Sequence, residues 1–166
     1  MSLAKSLTRS SAKIKPAVSP RWRRRGKVSI IITQSAPDTQ TYINFRESCG
    51  WGETDKALAK RAIDNSLLWV SASLAGETIG FVRLIGDGAL NFYIQDLIVS
   101  DVHRGKGIGA DLMEELFGCL KSVVPKGATI GLMAVAGREK FYESYGFQTR
   151  PAGQFGAGMT LTYEGE

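Results

Sequence analysis

Val99-Ser100-Asp101-Val102-His103-Arg104-Gly105-Lys106-Gly107-Ile108-Gly109-Ala110 is the stretch on which the reading of this chain turns. An apolar, β-branched run, Asn91–Val99, leads into it, and Ile108, Leu112, Leu116 and Leu120 recur at every fourth residue beyond it. The first pattern predicts a strand and the second a helix over 108–123. Between them, Gly105, Gly107 and Gly109 let the backbone turn tightly and approach a ligand with no Cβ in the way. The N–H groups of a helix's first turn point into such a loop, and the helix dipole favours an anion there. Arg104 and Lys106 add positive charge. These features describe a diphosphate cradle; the plainer alternative is a tight strand–helix turn with solvated charges. The common nucleotide motifs do not fit, because GxxxxGK[ST] is absent and the glycines are spaced GxGxG rather than GxGxxG.

Outward from the loop, the pattern predicts one α+β domain. Val28–Thr33 reads as a strand and Thr39–Ser48 as a short helix. Thr54 or Asp55 can cap a second helix to about residue 66, with Leu58, Ala59, Ala62 and Ile63 on one face. Leu68, Val70, Ala72 and Leu74 then alternate with polar or large neighbours, as in a half-buried strand. Ala75-Gly76-Glu77 turns into a returning strand over 78–85, and Gly86-Asp87-Gly88 turns again into the strand before the cradle. Past the cradle helix come a strand over 129–135, a helix over 138–145, and strands over 147–150 and 159–163. The order β-α-α-β-β-β-α-β-α-β-β predicts a mixed sheet with helices on both faces and no second domain.

Composition bounds the function. The 166 residues are 43% hydrophobic and 22% charged, ordinary for a single globular domain. No apolar run approaches the roughly 20 residues that span a bilayer. Cys49, Cys119 and the one histidine, His103, make no metal-ligand grouping, so no metal is expected and a reducing compartment fits. The net charge of +5 is misleading, because nine of the 21 basic residues lie in residues 1–27, which hold no acid. Residues 28–166 keep twelve basic against sixteen acidic residues, and show no basic stripe for nucleic acid. Residues 1–27 therefore read as a Ser/Arg-rich extension and 28–166 as the domain. The extension is read as solvated and poorly ordered, as an organelle transit peptide, or as a nucleic-acid or membrane contact through Trp22-Arg23-Arg24-Arg25. The location is cytoplasmic, or an organelle matrix if the extension is a transit peptide.

Two segments carry a specific resemblance. V-x-x-x-x-R-G-x-G-I-G-x-x-L-M, from Val99 to Met113, resembles the coenzyme A motif of the GNAT N-acetyltransferases, whose core is [Q/R]xxGx[G/A]. Phe141-Tyr142-Glu143-Ser144-Tyr145-Gly146-Phe147 is similar to that superfamily's FYxxxGF signature. The predicted element order is also that of its acyltransferase fold.

The resemblance implies acetyl transfer from acetyl-coenzyme A to an amine, attacked directly in a ternary complex. It assigns the pyrophosphate to the backbone of Arg104, Gly105, Lys106, Gly107, Ile108, Gly109 and Ala110. The pantetheine arm falls along Leu97, Ile98 and Val99, with the Leu97 N–H at the acetyl carbonyl. Tyr142 matches the general acid for the departing thiolate, while Tyr145 reads as a packing residue. Tyr93-Ile94-Gln95-Asp96-Leu97-Ile98-Val99 resembles a strand of glucosamine-phosphate acetyltransferases that carries two carboxylates; Gln95 replaces one of them here. Asp96 is then a base or ammonium anchor, or a structural hydrogen-bonding group with Arg83 as partner. Gly137 stands near a family asparagine that contacts the coenzyme and lets the backbone approach it instead, and Arg138 or Lys140 is placed to meet phosphates. A small-molecule amine is the expected acceptor, with walls at 45–54 and 150–159 that include Trp51 and Phe155. A protein or peptide acceptor and a non-catalytic coenzyme-binding module are the alternatives. No nucleic-acid or membrane partner is expected, and a homodimer is left open.

Overall fold

A run of β-branched residues has few comfortable alternatives to extended backbone, and Val28–Thr33 forms strand β2. In the computed structural model, which describes residues 21–25 and 28–163, β2 lies second in a six-stranded sheet ordered β1-β2-β3-β4-β5-β6. The other strands are β1 (Arg21–Arg25), β3 (Leu68–Leu74), β4 (Glu77–Gly86), β5 (Asn91–Val99) and β6 (Thr129–Gly131). Neighbours run antiparallel except β5 and β6, which are parallel. The helices are α1 (Thr39–Ser48), α2 (Lys56–Asp64), α3 (Ile108–Leu120) and α4 (Glu139–Glu143). Asp38 caps α1 through Thr41 N, and Asp55, rather than Thr54, caps α2 by accepting from Ala57 N and Leu58 N, both at 2.9 Å.

The sheet separates two cores. Ile108, Leu112, Met113 and Leu116 of α3 pack on Val70, Val82, Leu84 and Ile94. On the other side, Tyr42 and Ile43 of α1 and Ala59 of α2 meet Trp69, Phe81 and Ile98. This is the expected α+β architecture, with helices on both faces.

Two differences from the sequence reading concern its ends. The extension contributes a strand: β1 pairs with β2 in the register Arg21↔Ile32 to Arg25↔Val28. Its basic composition hid this, since a strand is recruited by the open edge of β2 and not by local charge. At the other end, among the described residues no strand follows β6. Residues 147–150 and 159–163 stay outside the sheet, and Met159, Leu161 and Tyr163 are 92%, 89% and 80% exposed. The alternation at 159–163 favours extended backbone, but β6 stops at Gly131 rather than at 135 and offers only a short edge. Pro151, Gly153, Gly156 and Gly158 interrupt the intervening chain.

The feature that shapes the site is a bulge in β5. Phe81 pairs with Ile98, but Arg83 pairs with Gln95, so Asp96 and Leu97 together stand opposite Val82. Asp96 has φ +54°, in the left-handed region that L residues rarely adopt. The strand changes sides there. Phe92 and Ile94 pack in the α3 core, and so do Leu97 and Val99, whereas Ile98 joins the α1 core.

Candidate active site

β5 and β6 share only three rungs, Asn91↔Thr129, Phe92↔Ile130 and Tyr93↔Gly131. β6 then ends while β5 continues to Val99, so among the described residues Leu97, Ile98 and Val99 have no strand on that side. An exposed strand edge of this kind accepts an extended ligand through backbone hydrogen bonds. A cleft of about 1470 Å³ runs along the three rungs to the end of β6, lined there by Tyr93, Gly131, Met133, Ala134 and Tyr142. It reaches Arg83 on β4 and Phe155 in the 150–159 segment, with Arg150 stacked 4.6 Å over the Phe155 ring. Trp51, expected on the same wall, is not among its lining residues; it lies exposed with the Arg46 guanidinium 5.3 Å from its ring centre.

The β5 edge leads directly into the cradle. After a single 3₁₀ turn at Asp101–His103, Gly105 and Gly107 take φ +72° and +78°. A left-handed Gly107 is the N-cap of α3, and no side chain caps it. The first-turn N–H groups, including those of Ile108, Gly109 and Ala110, thus have no intrahelical acceptor and face the loop. A thirteen-residue helix stands behind them. Arg104 folds back on the loop, donating from Nε to the Val99 carbonyl at 3.1 Å and pairing with Asp101 at 2.7 Å. Lys106 Nζ similarly donates to the Val102 carbonyl at 2.7 Å. Both cations are exposed and flank the cradle. An open strand edge running into an uncapped helix N-terminus fits a ligand that is extended at one end and anionic at the other.

Helix α4 borders both parts. A Cβ added at Gly109 would meet Phe141 Cζ at 3.9 Å, an ordinary contact distance, which places α4 beside the first turn of α3. Tyr145 Oη donates to the Ala110 carbonyl at 3.4 Å and its ring packs on Phe117 and Phe141, the packing role expected of it. Tyr142 lines the cleft, and burial pushes its phenol above the usual tyrosine range, partly opposed by Arg138. A raised phenol keeps its proton throughout the neutral range. Gly137 turns the chain into α4 with φ +80°, and its N–H donates to Glu139 Oε1 at 3.1 Å, so it is already engaged. Lys140 is exposed on α4.

Asp96 is fully engaged as well. Its buried carboxylate accepts from Tyr42 Oη at 2.7 Å, Arg83 Nε at 2.8 Å, Arg46 Nη1 at 2.9 Å and Gln95 Nε2 at 3.1 Å. Of the two expected roles, this favours the structural one, and Arg83 is the partner expected. A carboxylate has about four acceptor positions, and all are taken. The sequence reading missed Tyr42 and Arg46, which sit among the polar residues of α1 with no motif to mark them. The one available signal was Asp96 itself, a carboxylate in an apolar strand that required donors from elsewhere.

Comparison with known proteins agrees with this geometry. A family model described as "Acetyltransferase (GNAT) domain" matches residues 47–163. The chain is 34% identical over 112 residues to an "Uncharacterized N-acetyltransferase ycf52-like" of Prochlorococcus marinus, covering 64% of this chain and 61% of that one. It is 31% identical over 107 residues to a chloroplastic serotonin N-acetyltransferase 2 of Oryza sativa subsp. japonica, covering 61% of this chain and 52% of the relative. The chain thus spans between half and two thirds of the length of these relatives. Among solved structures, a GNAT-family acetyltransferase from Streptococcus pneumoniae superposes with TM-score 0.64 at 26% identity, over 82% of this chain and 99% of the other. A protein of unknown function from methicillin-resistant Staphylococcus aureus superposes with TM-score 0.73 at 26% identity, over 81% and 99%. The open β5 edge, the glycine cradle and the tyrosine of α4 occur in a chain that belongs to the GNAT acetyltransferase family.

Proposed function

We propose that this chain transfers the acetyl group of acetyl-coenzyme A to the primary amine of a small molecule, by direct attack within a ternary complex. The observation that carries this reading is the continuity of the unpaired β5 edge with the uncapped N-terminus of α3. Leu97, Ile98 and Val99 would hold the extended arm of the coenzyme, and the loop from Arg104 to Ala110 its pyrophosphate. Bound there, the coenzyme supplies an activated acyl carbon as its thioester.

The protein's own residues then do three things. The Leu97 N–H polarises the thioester carbonyl, a contact worth about 2–4 kcal/mol where charge develops on oxygen. Tyr142 holds a proton that the departing thiolate takes as the C–S bond breaks and the C–N bond forms. The proton lost by the attacking nitrogen passes to solvent in the open cleft, since Asp96 is occupied by four donors.

A small-molecule acceptor is supported by the activity for which the rice relative is named and by the aromatic wall at Phe155. An amine carrying an aromatic ring suits that wall best. The chloroplastic names of the rice and Arabidopsis thaliana relatives support an organelle matrix as the location, together with the acid-poor extension. The test is a panel of arylalkyl, polyamine and peptide amines incubated with acetyl-coenzyme A and read by thiol release. Thiol release with an arylalkylamine supports the reading. Release only with peptides would replace the acceptor class, and no release with tight coenzyme binding would leave a binding module.

A further inference from the structure

Asp96 occupies an unfavourable backbone region and a buried position at once. A non-glycine residue held at positive φ is strained and persists only where its surroundings over-determine it. Here those surroundings are visible. Tyr42 and Arg46 reach the carboxylate from α1, Arg83 from β4, and Gln95 from the preceding position of β5. The guanidiniums are themselves braced: Arg83 Nη1 donates to the Ala62 carbonyl at 3.3 Å and to Ser66 Oγ at 3.2 Å, and both arginines lie over the Tyr42 ring at 5.6 and 5.7 Å. Because Gln95 and Asp96 are consecutive yet linked on the same side of the sheet, the backbone between Gln95 and Ile98 cannot keep regular pairing. Asp96 and Leu97 consequently have no rung of their own to β4.

We propose that Asp96 is a positioning residue, and that Tyr42, Arg46 and Arg83 form a clamp on its carboxylate that holds the β5 bulge and so frees the Leu97 N–H for the acetyl carbonyl. The inference rests on the acetyl-transfer reading above and assigns that reading a set of residues outside the reacting groups. The clamp has one member near the surface. The Arg46 side chain is 21% accessible, against 11% for Arg83 and 0% for Asp96, and it also rests on the exposed Trp51 ring. Arg46 therefore connects the α1–α2 link with β5, the strand that polarises the thioester.

The test uses the full chain and Arg46→Met, which keeps an aliphatic side chain against Tyr42 and Trp51 while removing one of four donors. Acetyl-coenzyme A labelled with ¹³C at the thioester carbonyl is bound to each protein, and the carbonyl stretch is read by difference infrared spectroscopy beside kcat and the calorimetric Kd. The clamp predicts a stretch that moves in Arg46→Met toward the free-thioester frequency, a fall in kcat of about 10- to 100-fold, and a Kd within about threefold of the parent. Arg46→Lys, which restores a cation, should recover part of both changes; it also serves if the methionine variant does not fold. An unmoved stretch, whatever happens to kcat, would overturn the clamp, as would a Kd that weakens in step with kcat. If the parent protein itself binds the coenzyme with an unshifted carbonyl, the Leu97 contact fails, and with it the acetyl-transfer geometry rather than the clamp alone.

Discussion

Arg83 Nε donates to Asp96 Oδ2 at 2.8 Å across β4 and β5, and the pair is nearly closed to water, with side-chain accessibilities of 11% and 0%. Removing one partner of a buried pair leaves an uncompensated charge, which typically costs about 3–5 kcal/mol. Asp96→Ala strands two guanidiniums and should approach that loss in urea denaturation. Asp96→Asn keeps an acceptor and the side-chain shape, and should cost about half as much. Equal stability of the parent and the alanine variant would show that the network holds nothing together.

Tyr42 makes the same network sensitive to alkali. Burial and the neighbouring Asp96 carboxylate push its phenol from 10.0 up to about 12. Below pH 10 both folded and unfolded chains keep this proton. Above it the unfolded chain releases the proton first, so the folded state binds more protons and stability falls with rising pH until about 12. Tyr42→Phe removes this contribution. Chemical denaturation at a series of pH values should show a shallower decline from pH 10 to 12 in the variant than in the parent. Parallel curves would contradict the buried phenol.

The cradle depends on the left-handed glycine that begins α3. Gly107→Asp adds a Cβ at φ +78° and a negative charge at a helix N-terminus, where the dipole tolerates the charge but the proposed phosphates would be repelled. Coenzyme A affinity measured by calorimetry should fall at least about 100-fold, as expected when roughly 3 kcal/mol is lost. Asp101→Asn works the other way. Arg104 is held by Asp101 at 2.7 Å, and releasing it while removing a nearby anion should tighten coenzyme binding by about two- to fivefold at low salt.

The extension can be tested by truncation. A chain beginning at residue 27 lacks β1 and exposes the edge of β2, whereas a chain beginning at Pro20 keeps the strand and loses most of the preceding residues. The first should melt at a lower temperature than the second and aggregate more readily, because an open apolar edge invites pairing between chains. Identical melting curves would return residues 21–25 to the status of a tail.

The glycine turn and the helix it opens were legible in the sequence because their geometry is local. Glycines at fixed spacing before an amphipathic helix need no distant partner to be understood. Tyr142 likewise sits in a short motif on a single turn of helix, and the fold brings it to the cleft. The β5 bulge was not legible. Phe92, Ile94, Asp96 and Ile98 read as one unbroken alternation and are all buried, yet the first two and the last lie on opposite faces. Asp96 takes the face on which Arg46 and Tyr42, fifty residues or more earlier in the chain, meet its carboxylate, and no local pattern announces those partners. Pairing of β1 with β2 is likewise decided by an open edge, and the alternating residues at 159–163 show the converse, a strand pattern that stays outside the sheet beside the short edge of β6.

The central claim is that a tyrosine of α4 protonates a thiolate in the cleft at the end of β6. It is tested most directly by comparing kcat and coenzyme affinity in Tyr142→Phe and Tyr145→Phe. Both tyrosines line the cleft and their rings are alike in packing, but the Tyr145 hydroxyl makes one long bond to the Ala110 carbonyl, whereas Tyr142 is the one proposed to hold the thiolate's proton. With an arylalkylamine acceptor, Tyr142→Phe should lower kcat by about 10²–10⁴-fold with coenzyme Kd little changed, while Tyr145→Phe stays within about threefold of the parent. Equal turnover in the two variants, or full turnover in Tyr142→Phe, would contradict the account.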